Sequence, residues 1–180
     1  KADKPRKYSY SINIDDVVTH CNILVLPCLD ELAKNRCHFI AENQQYNNPK
    51  SKLDGAYLIY DNEEKHIYYN REYDFNGGRE RVGMGVLIAK YLQNHDDEVL
   101  LNSLKKYIKY VQKSLVCIET GEVFNDCNYD NSFTRLYNYP WFSLFYIELY
   151  KLFGDKNMLE IAYKIMLFFY NQGGEHFYAI

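Results

Sequence analysis

Residues 82–111 read VGMGVLIAKYLQNHDDEVLLNSLKKYIKYV, and residues 141–170 read WFSLFYIELYKLFGDKNMLEIAYKIMLFFY. An offset of 59 residues, the step from Tyr91 to Tyr150, also lays Asp96 on Asp155 and Leu100 on Leu159. Identities are few, but the apolar positions and the turn residues agree. Each stretch reads as a helix, a tight turn and a second helix. A helical hairpin of this kind cannot bury both apolar faces alone, so it must stack on copies of itself. The chain is therefore expected to be mainly α, part of a ring or array of antiparallel helical hairpins.

Working outward, the first hairpin spans a helix over about 81–93, a turn at His95-Asp96-Asp97 and a helix over about 98–115. Pro140 suits the first turn of the next helix, where one N–H has no intrahelical partner anyway. Gly154 is a natural left-handed stop, Asp155 caps the last helix, and Gly173-Gly174 ends it. Upstream, residues 1–14 read as a loose polar leader, which leaves 15–180 as the domain. Asp15 or Asp16 is placed to cap a helix beginning at Val17. Pro27 either kinks that helix or precedes a second one running towards Asn43. Residues 44–54 have loop composition. The β-prone runs 56–60 and 66–70 form a small hairpin around 61–65. Glu119-Thr120-Gly121-Glu122 is a turn between short extended pieces, and residues 176–180 read as extended.

The turns inside the hairpins are short, and the connections between them are long and rich in Tyr, Asn, Asp and Arg. Long connections tend to be functional. In a hairpin array they all lie at one end, so function is expected at that rim.

Composition sets bounds. The 180 residues suffice for a proper core. A net charge of −3 argues against a nucleic-acid partner. No apolar run reaches the roughly 20 residues that span a bilayer, so no membrane partner is expected. No export signal is visible in the charged and polar first 14 residues, and the sequence does not fix a location. The five cysteines include no CxxC pair, so no metal is expected. Most of them are expected to be buried thiols. No cofactor is expected either: Gly77 and Gly78 lack the spacing and the Lys-Ser/Thr ending of a phosphate loop. The 19 Tyr and 10 Phe suit a surface that meets polar ligands through flat apolar faces, although a codon bias towards Tyr would raise the count as well.

The turn at residues 153–156, the segment 119–123, the string 77–85 and the string 135–141 resemble the six-hairpin glycosidase-like superfamily, the (α/α)6 toroids. The resemblance covers about residues 30–180. It implies part of an (α/α) toroid with small β-hairpins in the connections, and a carbohydrate partner held in a groove at one end. The superfamily includes glycoside hydrolases, unsaturated uronyl hydrolases and polysaccharide lyases. A full ring of six units needs about 350 residues at this repeat length. The chain supplies about three hairpins, so the remainder of a longer chain, or a homo-oligomer, is expected to complete it.

Glycosidases need two carboxyl groups flanking the scissile bond. Glu80, between two arginines at a helix start, is the first candidate. Asp126, one connection later, is its expected partner. Arg79 and Arg81, with Asp74 beside them, are placed to grip a uronate carboxylate by bidentate hydrogen bonds. A purely structural ion-pair knot explains the same residues. Asn/Asp turn chemistry likewise explains Asp126. Arg135, Tyr137, Tyr139 and Trp141 form an aromatic and cationic entry to the next hairpin, with both tyrosines expected on one side of an extended segment. His176, with Tyr178, would line the same end. The expected function is a glycoside hydrolase-like enzyme or a segment of one. The alternative is a non-catalytic glycan- or protein-binding array that needs a partner chain.

Overall fold

The computed structural model describes residues 4–132 and 135–176. The expected extended tail beyond His176, including Tyr178, lies outside the described residues. The chain divides into two compact units, Lys1–Asn35 and Arg36–Ile180.

The first unit corrects two expectations. In place of a loose leader and a capped helix from Val17, it holds an antiparallel ribbon, β1 (Arg6–Ile14) and β2 (Val17–Val25). Ile14 faces Val17 and Arg6 faces Val25. The physical reason lies in residue type. Val17-Val18-Thr19 and Ile23 favour a pleated backbone over a helix. Asp15 adopts a left-handed φ of 52° and turns the chain between the strands. Tyr8, Tyr10, Ile12 and Ile14 alternate with polar residues, a period of two. Both faces of the ribbon are largely exposed. The α1 helix (Leu29–Phe39) follows Pro27, as one of the two readings of that proline required, and runs on through a π turn at Ile40–Gln44.

The second unit carries two helical hairpins, α2 (Val82–Leu92) with α3 (Glu98–Ser114), and α4 (Asn138–Phe153) with α5 (Lys156–Asn171). Asp97 caps α3 by accepting the Leu100 N–H, and Asp155 caps α5 by accepting the Asn157 N–H. Gly154 closes α4 in the left-handed conformation. The β-prone runs form only a two-residue ladder, β3 (Tyr60–Asp61) against β4 (His66–Ile67).

Packing assigns the helices to layers. α2 touches both α3 and α4, and α4 also packs on α5. α2 and α4 bury residues all round, whereas α3 alternates a buried stripe (Leu100, Leu104, Tyr107, Val111) with lysines. A helix apolar all round belongs inside, and an amphipathic one belongs outside. α2 and α4 run in the same direction. Glu80, just before α2, meets Tyr137, just before α4. Gln93, just after α2, donates to Glu148 Oε2 at 2.7 Å, well along α4. Buried tyrosines fill much of the core: Tyr57, Tyr107, Tyr139 and Tyr146 are nearly inaccessible. Burial raises all four phenol pKa values. Contrary to expectation, only Cys37 and Cys127 of the five thiols are buried; Cys21 and Cys28 are exposed in the first unit.

Candidate functional site

The connection before α2 turns sharply at residues 73–78 and enters the helix through a 3-10 turn, Arg79–Arg81. The connection before α4 returns to it. The Arg79 N–H donates to the Asn125 carbonyl at 3.2 Å. The two long connections therefore meet at one rim, as the hairpin arrangement requires.

Ion pairs tie that rim together. Arg79 is fully buried and donates from Nε (3.0 Å) and Nη2 (3.1 Å) to the two Asp74 oxygens. Arg135 Nη1 pairs with Glu80 Oε1, lies 3.4 Å from Asp74 Oδ2 and donates to the Tyr137 hydroxyl at 2.7 Å. The Tyr137 hydroxyl lies 3.5 Å from Glu80 Oε1. The side chains of Glu80 and Arg135 are about one-third exposed. The charges therefore run Arg79, Asp74, Arg135, Glu80 from the interior outward. The inner pair fixes the loop, and the outer pair faces solvent.

The outer end opens into a cavity of about 390 Å³ lined by Arg79, Glu80, Val82, Gly83, Tyr137, Asn138 and Trp141. Trp141 is 51% exposed and is not a core residue. Asn138 is buried, and its Oδ1 has no hydrogen-bond partner. A buried amide oxygen of this kind is costly unless something donates to it. Sequence reasoning missed Asn138. Its only signal was its place beside Tyr137 at a helix start.

Four expected residues are placed elsewhere. Tyr139 is 1% exposed, stacks on Phe168 at 5.6 Å and accepts the Val123 N–H. The extended segment expected over Tyr137–Tyr139 is a helix start, so alternate residues diverge and only Tyr137 faces the cavity. Asp126 accepts the Asn128 N–H at 2.8 Å, an Asx turn, and is not among the cavity-lining residues. His176 pairs with its neighbour Glu175 on the exposed surface. Arg81 is half-buried and not among the cavity-lining residues, and its buried Nε has no partner. Among the described residues no three metal-ligating side chains gather, and no helix is long and apolar enough to cross a membrane.

The arrangement places a carboxylate, a guanidinium, a phenol and an exposed indole around one concavity at the end of a helical-hairpin array. Against solved structures, the chain is similar to the polysaccharide lyase BACCELL_00875, with a TM-score of 0.88 and 32% identity over 98% of this chain. The chain spans 27% of that protein's length. No protein-family model and no curated protein matches the sequence.

Proposed function

We propose that this chain is a segment of a carbohydrate-active enzyme, one end of an (α/α) toroid, and that it cleaves a uronate-containing polysaccharide by elimination at the Glu80–Tyr137–Trp141 cavity. The observation that carries this reading is the convergence of Glu80, Tyr137 and Trp141 from the starts of α2 and α4 onto one cavity, with Arg135 bridging Glu80 and Tyr137 beside it. The likeness to a polysaccharide lyase supports it. Hydrolysis needs two carboxyl groups across the scissile bond. Among the described residues, Glu80 is the one carboxylate that lines the cavity, and Asp126, its expected partner, is engaged in a turn.

Elimination needs one base, one acid and a cation. The carboxylate of Glu80 takes the proton from the carbon next to the uronate carboxyl. The electron pair left on that carbon forms the C4=C5 double bond, and the C4–O bond breaks. The leaving oxygen takes the Tyr137 proton: that hydroxyl accepts from Arg135 and directs its O–H at Glu80 Oε1 over a long 3.5 Å, a bond that the leaving oxygen replaces once Glu80 is protonated. Arg135 loses its charged partner as Glu80 is protonated, and it then stabilises the negative charge developing on the substrate carboxyl. Trp141 supplies a stacking face for a sugar ring.

The test is ultraviolet detection of the new double bond, conjugated with the carboxyl, when polygalacturonate and other polyuronates are offered. Glu80→Gln is expected to lower kcat by about 10²–10⁴. Trp141→Ala is expected to raise KM with a smaller change in kcat. Reducing ends released without the absorbance would replace elimination by hydrolysis. Undiminished cleavage by Glu80→Gln would remove this cavity from the chemistry.

A further inference from the structure

A second concavity lies on the outer helix. Lys106, Lys109 and Lys113 stand at i, i+3 and i+7 on one face of α3. They form one wall of a groove of about 370 Å³, with Asn47, Ser51 and Asp54 on the facing loop. The groove is built into the fold. Gly55 has φ +88°, and a Cβ there would stand 2.8 Å from the Lys106 carbonyl oxygen, so only glycine lets the loop press onto the helix. Lys106 Nζ donates to Asn47 Oδ1 at 2.8 Å and ties loop to helix.

Lys113 also lines a neighbouring hollow of about 300 Å³ with Lys52, Asn128 and Tyr129. The two hollows share that lysine. Together they present four lysines and one carboxylate, Asp54, in a chain whose net charge is −3. Tyr110, on the groove wall, donates its hydroxyl to the Gly77 carbonyl at 2.5 Å. That carbonyl belongs to the loop leading into Arg79 and Glu80, so this buried phenol ties the groove wall to the rim loop through the interior.

A stripe of lysines on a convex helix face is ordinary solvated surface. Here the stripe lines a concave wall opposite amide and hydroxyl groups, the combination that suits a ligand both anionic and rich in hydroxyls. Its spacing suits a polymer. Steps of three and four residues advance about 4.5 and 6 Å along the helix, on the order of one pyranose unit. We infer that this groove binds the anionic polysaccharide itself, holding carboxylate-bearing sugars outside the cavity where the bond is cut. The inference rests on the proposed action on a uronate-containing chain, and it adds where that chain lies.

The test measures binding of the protein to polygalacturonate, neutral dextran and duplex DNA by affinity electrophoresis at low and moderate salt. The comparison is with the triple variant Lys106→Gln/Lys109→Gln/Lys113→Gln and with Lys109→Gln alone. These side chains are exposed, and circular dichroism checks that the variants fold. Wild type is expected to bind polygalacturonate, not dextran, with affinity that falls as salt rises. The triple variant is expected to lose tenfold or more, the single variant less, and the salt dependence to flatten. Wild-type indifference to polygalacturonate, equal binding by the triple variant, or equal or tighter binding of DNA would each overturn the inference. Glu80→Gln separates the two proposals. If it cleaves like wild type while the triple variant still loses binding, the cavity assignment fails and the groove stands. If cleavage depends on Glu80 while the lysines leave binding untouched, the groove assignment fails alone.

Discussion

Arg79 shows how the rim is held. Its guanidinium is fully buried and meets both oxygens of Asp74. Removing one member of a buried ion pair strands the other charge. Asp74→Ala is therefore expected to cost about 3 kcal/mol of unfolding free energy in denaturant titration, whereas Glu80→Gln, at the partly exposed outer end, is expected to cost under about 1 kcal/mol. That contrast separates the structural knot from the proposed chemical group, two roles that the sequence left superimposed on Asp74, Arg79, Glu80 and Arg81. Glu80, and separately Tyr137 and Trp141, drew notice in the sequence because each lies at a helix start, but the sequence paired Glu80 with Asp126 and not with the two aromatics. Tyr139 was misread because the helix begins one residue before it, and no local signal in Tyr137-Asn138-Tyr139 marks that boundary. The lysine groove was not legible at all: Lys106 and Asn47 are 59 residues apart, and only the folded loop brings them together.

Among the elements, α2 carries two glycines with opposite surroundings. A Cβ at Gly85 would meet the rings of Tyr107 and Phe145 at 2.6 and 2.8 Å, while one at Gly83 meets nothing. Overpacking costs about 1–3 kcal/mol, and helix propensity returns only about 1 kcal/mol of it. Gly85→Ala is expected to lower Tm. Gly83→Ala is expected to raise it, by the equivalent of about 0.5–1 kcal/mol. Thermal melts of both variants check the pair, and a stabilising Gly85→Ala would mean that the helix layers sit further apart than described. The hairpins themselves were readable because the 3.6-residue period, the capping aspartates and Gly154 agreed. The ribbon β1–β2 was not. Its polar composition and the aspartates at 15 and 16 mimic a helix start, and only the alternation of Tyr8, Tyr10, Ile12 and Ile14 argued for strands.

Within the second unit, distant segments are joined by His38. Its Nδ1 lies 3.0 Å from Glu42 and its Nε2 lies 2.8 Å from Asp97, the cap of α3. The hydrogen bond to Glu42, helped by Asp97, holds the imidazolium pKa above its usual 6.5 against a smaller effect of burial. Asp97 is held below its usual 3.8. Its partial burial opposes that shift, and the Leu100 N–H and His38 together outweigh it. The raised histidine stabilises the fold fully below pH 6.5 and loses that contribution as pH rises through its folded value. The lowered aspartate does the reverse, contributing above 3.8 and fading as pH falls through its folded value. The pair is therefore strongest between these limits. His38→Gln is expected to lower stability by about 1 kcal/mol at pH 6 and by visibly less at pH 8.5, read from denaturation midpoints. A pH-independent loss would mean that the imidazole acts by packing alone.

The common direction of α2 and α4 has an electrostatic consequence. Each helix carries the equivalent of roughly half a positive charge at its amino end from its aligned peptide dipoles. The hairpin partners α3 and α5 run the other way and offset this field at a distance, but it falls off within about a turn, and α2 and α4 open side by side at the mouth where Glu80 and Tyr137 stand. Each added unit in the same orientation would strengthen the potential there. On the proposed reading, this local potential would favour an acidic sugar at the mouth although the chain's net charge is −3.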